Sequence, residues 1–127
     1  MKVIVLAVCL ALGGCAEWGT ETKVEEGLFQ AVSAVDTMQS LAITRHPDEL
    51  QESAWPTAAV LTHHPSAINT VLWGAGRGAA HAFITDRLEC VDANDAVKRL
   101  WQGLTIGFEY QTVQNNHAIG IGYTGRF

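Results

Sequence analysis

Three long segments of this chain carry a helical repeat of apolar and polar residues, and this repeat decides the fold class. Apolar residues recur at steps of three and four in segments 28–44, 67–88 and 96–113, and polar residues occupy the opposite face of each segment. Pro47 follows the first segment and predicts that its helix ends near His46. We therefore predict an all-α protein, a small three-helix bundle with an N-terminal signal helix and a short extended C-terminal tail.

The apolar faces of the three helices are expected to form the core of this bundle. They comprise Leu28, Ala31, Val32, Val35, Met38 and Ala42, then Ile68, Leu72, Ala75, Ala79 and Phe83, and finally Val97, Leu100, Trp101, Leu104 and Phe108. Gly74, Gly76 and Gly78 lower the helix propensity of the second segment, and the spacing of Gly74, Gly78 and Ala82 predicts close approach of another backbone.

An alternative architecture turns this bundle inside out. Arg77 at mid-helix costs about 2.5–3.5 kcal/mol of membrane insertion, while each large apolar residue returns only about 0.3–0.6 kcal/mol, so neither later helix is expected to insert alone. A helical hairpin that pairs its polar faces could still enter the bilayer, as a small integral membrane protein with a polar interior. The orientation of four side chains separates the two architectures: Leu72, Phe83, Leu104 and Phe108.

The last segment, 115–127, changes character. Ile119, Ile121, Tyr123 and Phe127 alternate with glycine and polar residues, a period of two that favours extended structure. A single strand cannot form a barrel, since about eight strands are needed. We predict an extended strap over residues 115–127.

The first residues predict the destination of the protein. Lys2 precedes an apolar run of residues 3–12 that is too short to span a membrane, and Gly13 and Gly14 follow it, which is the layout of a secretory signal peptide over residues 1–14. Residues 12–15, Leu-Gly-Gly-Cys, resemble the lipobox of bacterial lipoproteins.

That resemblance implies cleavage before Cys15, a diacylglyceryl group on its sulfur and an acylated amino terminus. The protein would be anchored in the membrane through acyl chains on Cys15, on a leaflet that faces the periplasm. Ala16 stands where inner-membrane lipoproteins carry Asp, which implies the outer membrane. Residues 15–27 are then an acidic tether, and residues 28–127 form the helical domain.

Charge and cysteine content narrow the choice of partners. The net charge is −5 and the basic residues are scattered among acids, so we expect no nucleic-acid binding. Removal of Cys9 and lipidation of Cys15 would leave Cys90 without a partner in its own chain, which leaves burial or a disulfide dimer through Cys90 as its fates.

Titratable residues are present but do not form a recognisable catalytic or metal motif. The obvious members are Asp36, Glu52, His63, His64, His81, Glu109 and His117. No HxxxH or HExxH spacing and no nucleophile elbow occurs, so we predict neither a metal, a cofactor nor enzymatic activity. Glu109 is expected to be solvated, and Arg77 and His81 to bond between helices.

A second resemblance covers nearly the whole mature chain. It rests on the segments 36–40, 64–66, 106–109 and 116–122, on Glu52 with Pro56, and on His81. These resemble a group of small uncharacterised lipoproteins encoded by phages, prophages and proteobacteria. Trp55 and Asn115 depart from that group, which has Asn and His there. The resemblance implies no activity, but it implies a shared polar network, which we assign to Asp36, Arg77, His81 and Asn116.

Three functional hypotheses follow. The first is a lipid-anchored envelope protein that binds an envelope protein partner, in a phage or host function. The second is the integral membrane hairpin with a polar interior. The third is a lipid-anchored hydrolase that uses His81 with Asp36 or Glu109.

Overall fold

The structure, a computed structural model, describes Gly14 and residues 17–125. The predicted signal peptide apart from Gly14 and the predicted lipidation site Cys15 therefore lie outside the described residues, as do Arg126 and Phe127.

Helices account for all the regular secondary structure of the described part of the chain, and this confirms the all-α class. There are four of them: α1 (Thr20–Arg45), α2 (Thr57–Leu61), α3 (Ala67–Cys90) and α4 (Asp95–Ala118). The side chains of Ser66 and Asn94 accept hydrogen bonds from backbone N–H groups in the first turns of α3 and α4. The three long helices correspond to the three periodic segments of the sequence.

Two predicted boundaries are wrong. Helix α1 begins at Thr20, so most of the predicted tether over residues 15–27 is helical. Helix α4 continues to Ala118, and the strap predicted from residue 115 is helical in its first four residues. Beyond it, residues 119–125 contain turns and no strand. The alternation that suggested a strand comes from glycines, of which Gly120 adopts a φ of 98° just after the helix.

Helix α1 packs against both α3 and α4, which touch each other only sparsely. At one end, Arg99 of α4 is paired with Glu21 of α1. At the other end, Gln39 of α1 donates to the backbone oxygen of Val113 in α4 over 3.3 Å. Helix α4 therefore runs parallel to α1. Helix α3 runs antiparallel to both, since its earlier residue Arg77 pairs with Asp36 and its later residue His81 lies beside Glu26. The two ends are called the Thr20 end and the Arg45 end.

The apolar faces of these helices point outward, contrary to the predicted core. Leu72 and Leu104 are each 63% exposed, Phe108 is 47% exposed and Phe83 is 40% exposed. The only cluster of buried apolar residues among the described ones is small and lies at the Arg45 end, where it joins Ala42, Ile43, Leu50 and Ile121. The orientation of the four diagnostic residues is that of the inside-out alternative.

Polar and charged side chains fill the space between the long helices instead. The buried set includes Glu26, Ser33, Asp36, Gln39, His81, Thr85, Gln102, Glu109, Thr112 and Asn116. The pairing of a polar interior with apolar outer faces is the central feature of this fold.

The outer surface of the long helices forms an apolar belt, which we define as the exposed residues within 24–44, 67–86 and 100–116. No exposed residue in these three described ranges is Asp, Glu, Lys, Arg or His. The large members of the belt are Val24, Leu28, Met38, Ile68, Val71, Leu72, Phe83, Ile84, Leu100, Leu104, Phe108 and Tyr110. Exposed charges lie at the two ends of the molecule, for example Lys23 and Arg99 at one and Arg45 at the other.

Measured by length and hydropathy of its own sequence, no helix among the described residues qualifies as a membrane span.

The glycines of α3 separate into an inner and an outer set. A Cβ atom on Gly74 would lie 2.3 Å from Thr37 Oγ1 of α1, and one on Gly78 would lie 2.6 Å from Gln30 Oε1. A Cβ atom on Gly76 would meet nothing within 4 Å. The predicted approach of another backbone is wrong at Gly74 and Gly78, because side chains of α1 occupy the space beside them.

This difference gives a matched pair of substitutions. Gly74→Ala is expected to destabilise the fold by about 1–3 kcal/mol, because the short branched Thr37 side chain must move. Gly76→Ala is expected to stabilise it by about 0.8–1 kcal/mol through helix propensity. Thermal unfolding followed by circular dichroism measures both, and equal shifts of the melting temperature would contradict the assigned packing.

Candidate functional site

A buried arginine joins the three long helices near their middle. Arg77 of α3 donates from Nη2 to Asp36 Oδ2 of α1 at 2.8 Å, and its Nη1 lies 3.0 Å from Glu109 Oε1 of α4. Ser33 Oγ accepts from the same Nη2 at 3.2 Å, and Asn116 Nδ2 donates to Asp36 Oδ1 at 3.5 Å. These five residues are called the Arg77 cluster. Each contact between two of these helices in the cluster involves at least one charged side chain.

The Arg77 cluster contains two carboxyl groups for one guanidinium, and burial raises the pKa of Glu109 to about 7. One guanidinium faces the carboxyl groups of Asp36 and Glu109, whose side chains are only 3% and 5% exposed. Two atoms of the cluster, Glu109 Oε2 and Arg77 Nε, have no hydrogen-bond partner among the described residues. A buried carboxylate with an open acceptor favours a proton or a hydrogen-bond donor beside it.

A second polar group lies closer to the Thr20 end and is centred on Glu26. His81 Nδ1 lies 2.8 Å from Glu26 Oε2, which also accepts from Thr85 Oγ1 at 2.9 Å. Gln30 donates to the other oxygen of Glu26 at 2.6 Å. An ionised carboxylate only accepts hydrogen bonds, so a proton lies on Nδ1 of His81. Glu26, Gln30, His81 and Thr85 are called the Glu26 cluster.

Aromatic rings hold His81 in place. Its ring stacks on Phe29 with centroids 3.5 Å apart and on Trp101 with centroids 4.8 Å apart. Its Nε2 lies 2.8 Å from Thr105 Oγ1, so both ring nitrogens have partners. This explains the burial of His81 and leaves it bonded to groups other than Asp36 and Glu109.

A groove opens between α3 and α4, where these helices diverge over α1. Its volume is about 640 Å³. Its walls are mainly apolar and include Trp73, Ala80, Ile84, Trp101, Leu104 and Phe108. Arg77, His81 and Glu109 line its deep part. An apolar groove that ends on a few convergent polar groups has the composition of a small-molecule site.

A third polar group lies on the surface at the Thr20 end. The guanidinium of Arg99 bonds the carboxylate of Glu21, which lowers the pKa of Glu21 and raises that of Arg99. Hydrogen bonds from Thr22 and Lys98 lower the pKa of Glu89, and the same Glu89 contact raises the pKa of Lys98. Such exposed pairs contribute little to stability.

The structure brings most of the predicted polar network together. Asp36, Arg77 and Asn116 lie in one cluster, while His81 belongs to the neighbouring one. The expectation that Glu109 is solvated is wrong, because Arg77 pairs with it in the interior. Glu26 is a buried member of the network that the sequence does not predict, since it lies within the predicted tether over residues 15–27. Its spacing of seven residues from Ser33 was the available signal.

The remaining candidates serve the segment between α1 and α2. Glu52 is buried and accepts from Ser40 Oγ at 2.9 Å. Its backbone N–H donates to the His63 carbonyl oxygen, and its own carbonyl oxygen lies 2.7 Å from His63 Nδ1. His64 is exposed. His117 stacks on Tyr123 with centroids 4.4 Å apart. Among the described residues, no group of three or more potential ligands is placed to hold a metal ion.

Cys90 differs from expectation. The prediction of a cysteine without a partner in its own chain assumed removal of Cys9 and lipidation of Cys15. In this structure Cys90 is disulfide-bonded, and its partner lies outside the described residues.

No family model matches the chain, and neither the curated proteins nor the solved structures contain a significant match.

The Arg77 cluster predicts unequal effects for two arginines. Arg77→Gln is expected to destabilise the protein by about 3–5 kcal/mol, because it leaves Asp36 and Glu109 buried without a cation. Arg99→Gln removes a pair that solvent already screens, so its effect on the melting temperature is expected to be much smaller. Thermal unfolding of both variants tests this, and similar losses would contradict a central role for Arg77.

Proposed function

We propose that this chain is a membrane-embedded envelope protein, an inside-out bundle of α1, α3 and α4 whose apolar belt faces lipid acyl chains. The Arg77 and Glu26 clusters hold the helices together in its interior. The observation that carries the proposal is the orientation of the side chains. Apolar residues cover the outside of the long helices over many turns, while their charged residues are paired between them.

The energetics favour an apolar surrounding. Full burial of a large apolar side chain contributes about 1.5–3 kcal/mol. The belt has twelve large apolar members, and each is only partly exposed. Removing them from water would therefore contribute on the order of 10 kcal/mol. This is comparable to the whole stability of a typical domain, about 5–15 kcal/mol. Water is therefore an unfavourable medium for this surface, whereas hydrocarbon is a favourable one.

The dimensions of the belt fit a bilayer. On α1 the stretch without an exposed charge runs from residue 24 to 44, which at about 1.5 Å per residue spans roughly 30 Å. The hydrocarbon core of a bilayer is about 30 Å thick. Exposed aromatic residues, Trp55 and Tyr123, lie at the Arg45 end, as expected where a protein crosses the membrane–water interface.

The polar interior is compatible with this environment because its groups are paired. Ionisable residues within membranes face the interior of a bundle and pair with one another. Arg77 with Asp36 and Glu109, and His81 with Glu26, are arranged in this way. Each pair joins two different helices, so the helices must insert together.

Extraction of a variant that cannot be lipidated tests whether the belt alone holds the protein in the membrane. A Cys15→Ser protein is expected to remain in the membrane pellet after alkaline carbonate treatment, since the belt alone holds it there. Its tryptophan fluorescence is expected to be quenched by lipids brominated along the acyl chains. Release into the supernatant as a water-soluble oligomer would contradict the proposal and show that further copies of the chain cover the belt.

The sequence supports a second candidate, the lipid-anchored envelope protein. The Leu-Gly-Gly-Cys motif after a short apolar run supports it. The disulfide at Cys90 bears on the same question, because the chain has only two other cysteines, Cys9 and Cys15. A thioether and a disulfide cannot share one sulfur atom. Lipidation of Cys15 therefore excludes a bond between Cys15 and Cys90.

The two candidates also differ in orientation if α1 is embedded. Lipidation would put the Thr20 end on the periplasmic side. The connection from α3 to α4, with Arg87, Lys98 and Arg99, would lie on the same side. The preference of basic loops for the cytoplasmic side favours the opposite arrangement.

Mass spectrometry of the purified wild-type protein decides the second candidate. Lipidation predicts a chain that starts at Cys15 and carries the mass of a diacylglyceryl group and an N-acyl chain, all lost in the Cys15→Ser protein. An N-terminus at Met1 without added acyl mass would contradict lipidation while leaving the embedded bundle intact.

A further inference from the structure

We propose that the groove between α3 and α4 binds a lipophilic amine, with the ammonium group against Glu109 and a single alkyl chain along the apolar walls. The inference rests on the proposed membrane embedding for the route by which the ligand reaches the groove. It follows from the charge of the groove, its open hydrogen-bonding position and the chemistry of its walls.

The deep end of the groove is short of positive charge. Glu109 and Asp36 share the single guanidinium of Arg77. Burial raises the pKa of Glu109 to about 7, and the ionised form of Glu109 leaves one negative charge in a region that solvent hardly reaches. A cation that enters the groove would neutralise it, and an anion would add to it.

Two buried atoms at this end lack a partner among the described residues: the acceptor Glu109 Oε2, which an ammonium group would meet, and the donor Arg77 Nε. Glu109 Oε2 is buried and has no partner among the described residues, although Glu109 lines the groove. An ammonium group donates hydrogen bonds and accepts none, so it suits this oxygen. A sulfate or carboxylate head would have nothing to offer it.

The walls suit both parts of such a ligand. Trp73, Trp101 and Phe108 present aromatic rings, whose faces attract cations. Ala80, Ile84 and Leu104 add aliphatic surface for an alkyl chain. The volume of about 640 Å³ lies in the range of small-molecule sites and is narrow for a whole helix. Ala80 and Leu104 at the edges of the groove are exposed, so the groove opens on the apolar outer surface.

Binding of dodecylamine, dodecanol and dodecyl sulfate to the full chain in lipid nanodiscs tests the proposal. Trp18→Phe and Trp55→Phe leave Trp73 and Trp101 as reporters, and protein-free nanodiscs correct for partitioning. At equal mole fraction in the bilayer, dodecylamine is expected to bind at least tenfold more tightly than the alcohol or the sulfate. Equal binding of the three chains would overturn the proposal.

Two further variants and a control separate charge from shape. Glu109→Gln is expected to abolish the preference for the amine and to leave dodecanol binding unchanged, while the surface variant Glu21→Gln changes neither. Ala80→Phe fills the groove without altering its charge and is expected to weaken the binding of all three ligands. This variant still tests the site if Glu109→Gln fails to fold. A polyleucine helix with one central lysine stands in for a protein partner. If it bound in a Glu109-dependent manner and dodecylamine did not bind, the proposal would be overturned in favour of a protein partner.

Failure of the proposed function gives a different pattern. A protein released by carbonate can be titrated in buffer below the micelle concentration of each ligand, where the same amine preference is expected. If carbonate does not extract the protein but the protein shows no preference for the amine, the groove proposal is overturned and the membrane embedding stands.

Discussion

The ion pairs of Arg77 with Asp36 and Glu109 determine how the rest of this structure is arranged. A guanidinium in the middle of a helix can leave water only if acceptors on neighbouring helices meet it with good geometry. Asp36 supplies one from α1 and Glu109 another from α4, at 2.8 and 3.0 Å. Since each helix contributes a charge, rotation of any of them would strand a charge in the interior. The polar faces therefore point inward, and the apolar faces are left outside.

The proposed membrane environment is inferred from this arrangement. A bundle with an apolar core exposes its charges to water, whereas a bundle with an ionic core exposes its apolar residues, for which hydrocarbon is a favourable surrounding. Leu72 and Leu104, each 63% exposed, are the clearest sign of the second kind. In such a setting van der Waals packing and interhelical polar bonds hold helices together. Gly74 and Gly78 permit the first, and the Glu26 cluster supplies the second.

Helical periodicity could be read from the sequence, but the direction of each face could not. The repeat identifies two faces per helix and predicted the class correctly, and Pro47 predicted the end of α1 near His46 correctly. It does not say which solvent lies outside, so Phe83 and Phe108 were assigned to a core that they do not form. The partners of the charged residues were also out of reach. His81 bonds Glu26, 55 positions away, and Glu26 stood in a stretch too polar to look like a buried helix.

The groove and the belt are two consequences of the same geometry. Helices α3 and α4 both pack closely on α1 but contact each other only sparsely, and Trp73, Trp101 and Phe108 line the groove that separates them. The interior is thereby reached from the apolar side of the molecule. Because no exposed charge lies on that side within the described belt, an approaching ion without an alkyl chain would find no favourable path. In the proposed membrane-embedded arrangement, a molecule that reaches Glu109 from there must be soluble in hydrocarbon along most of its length.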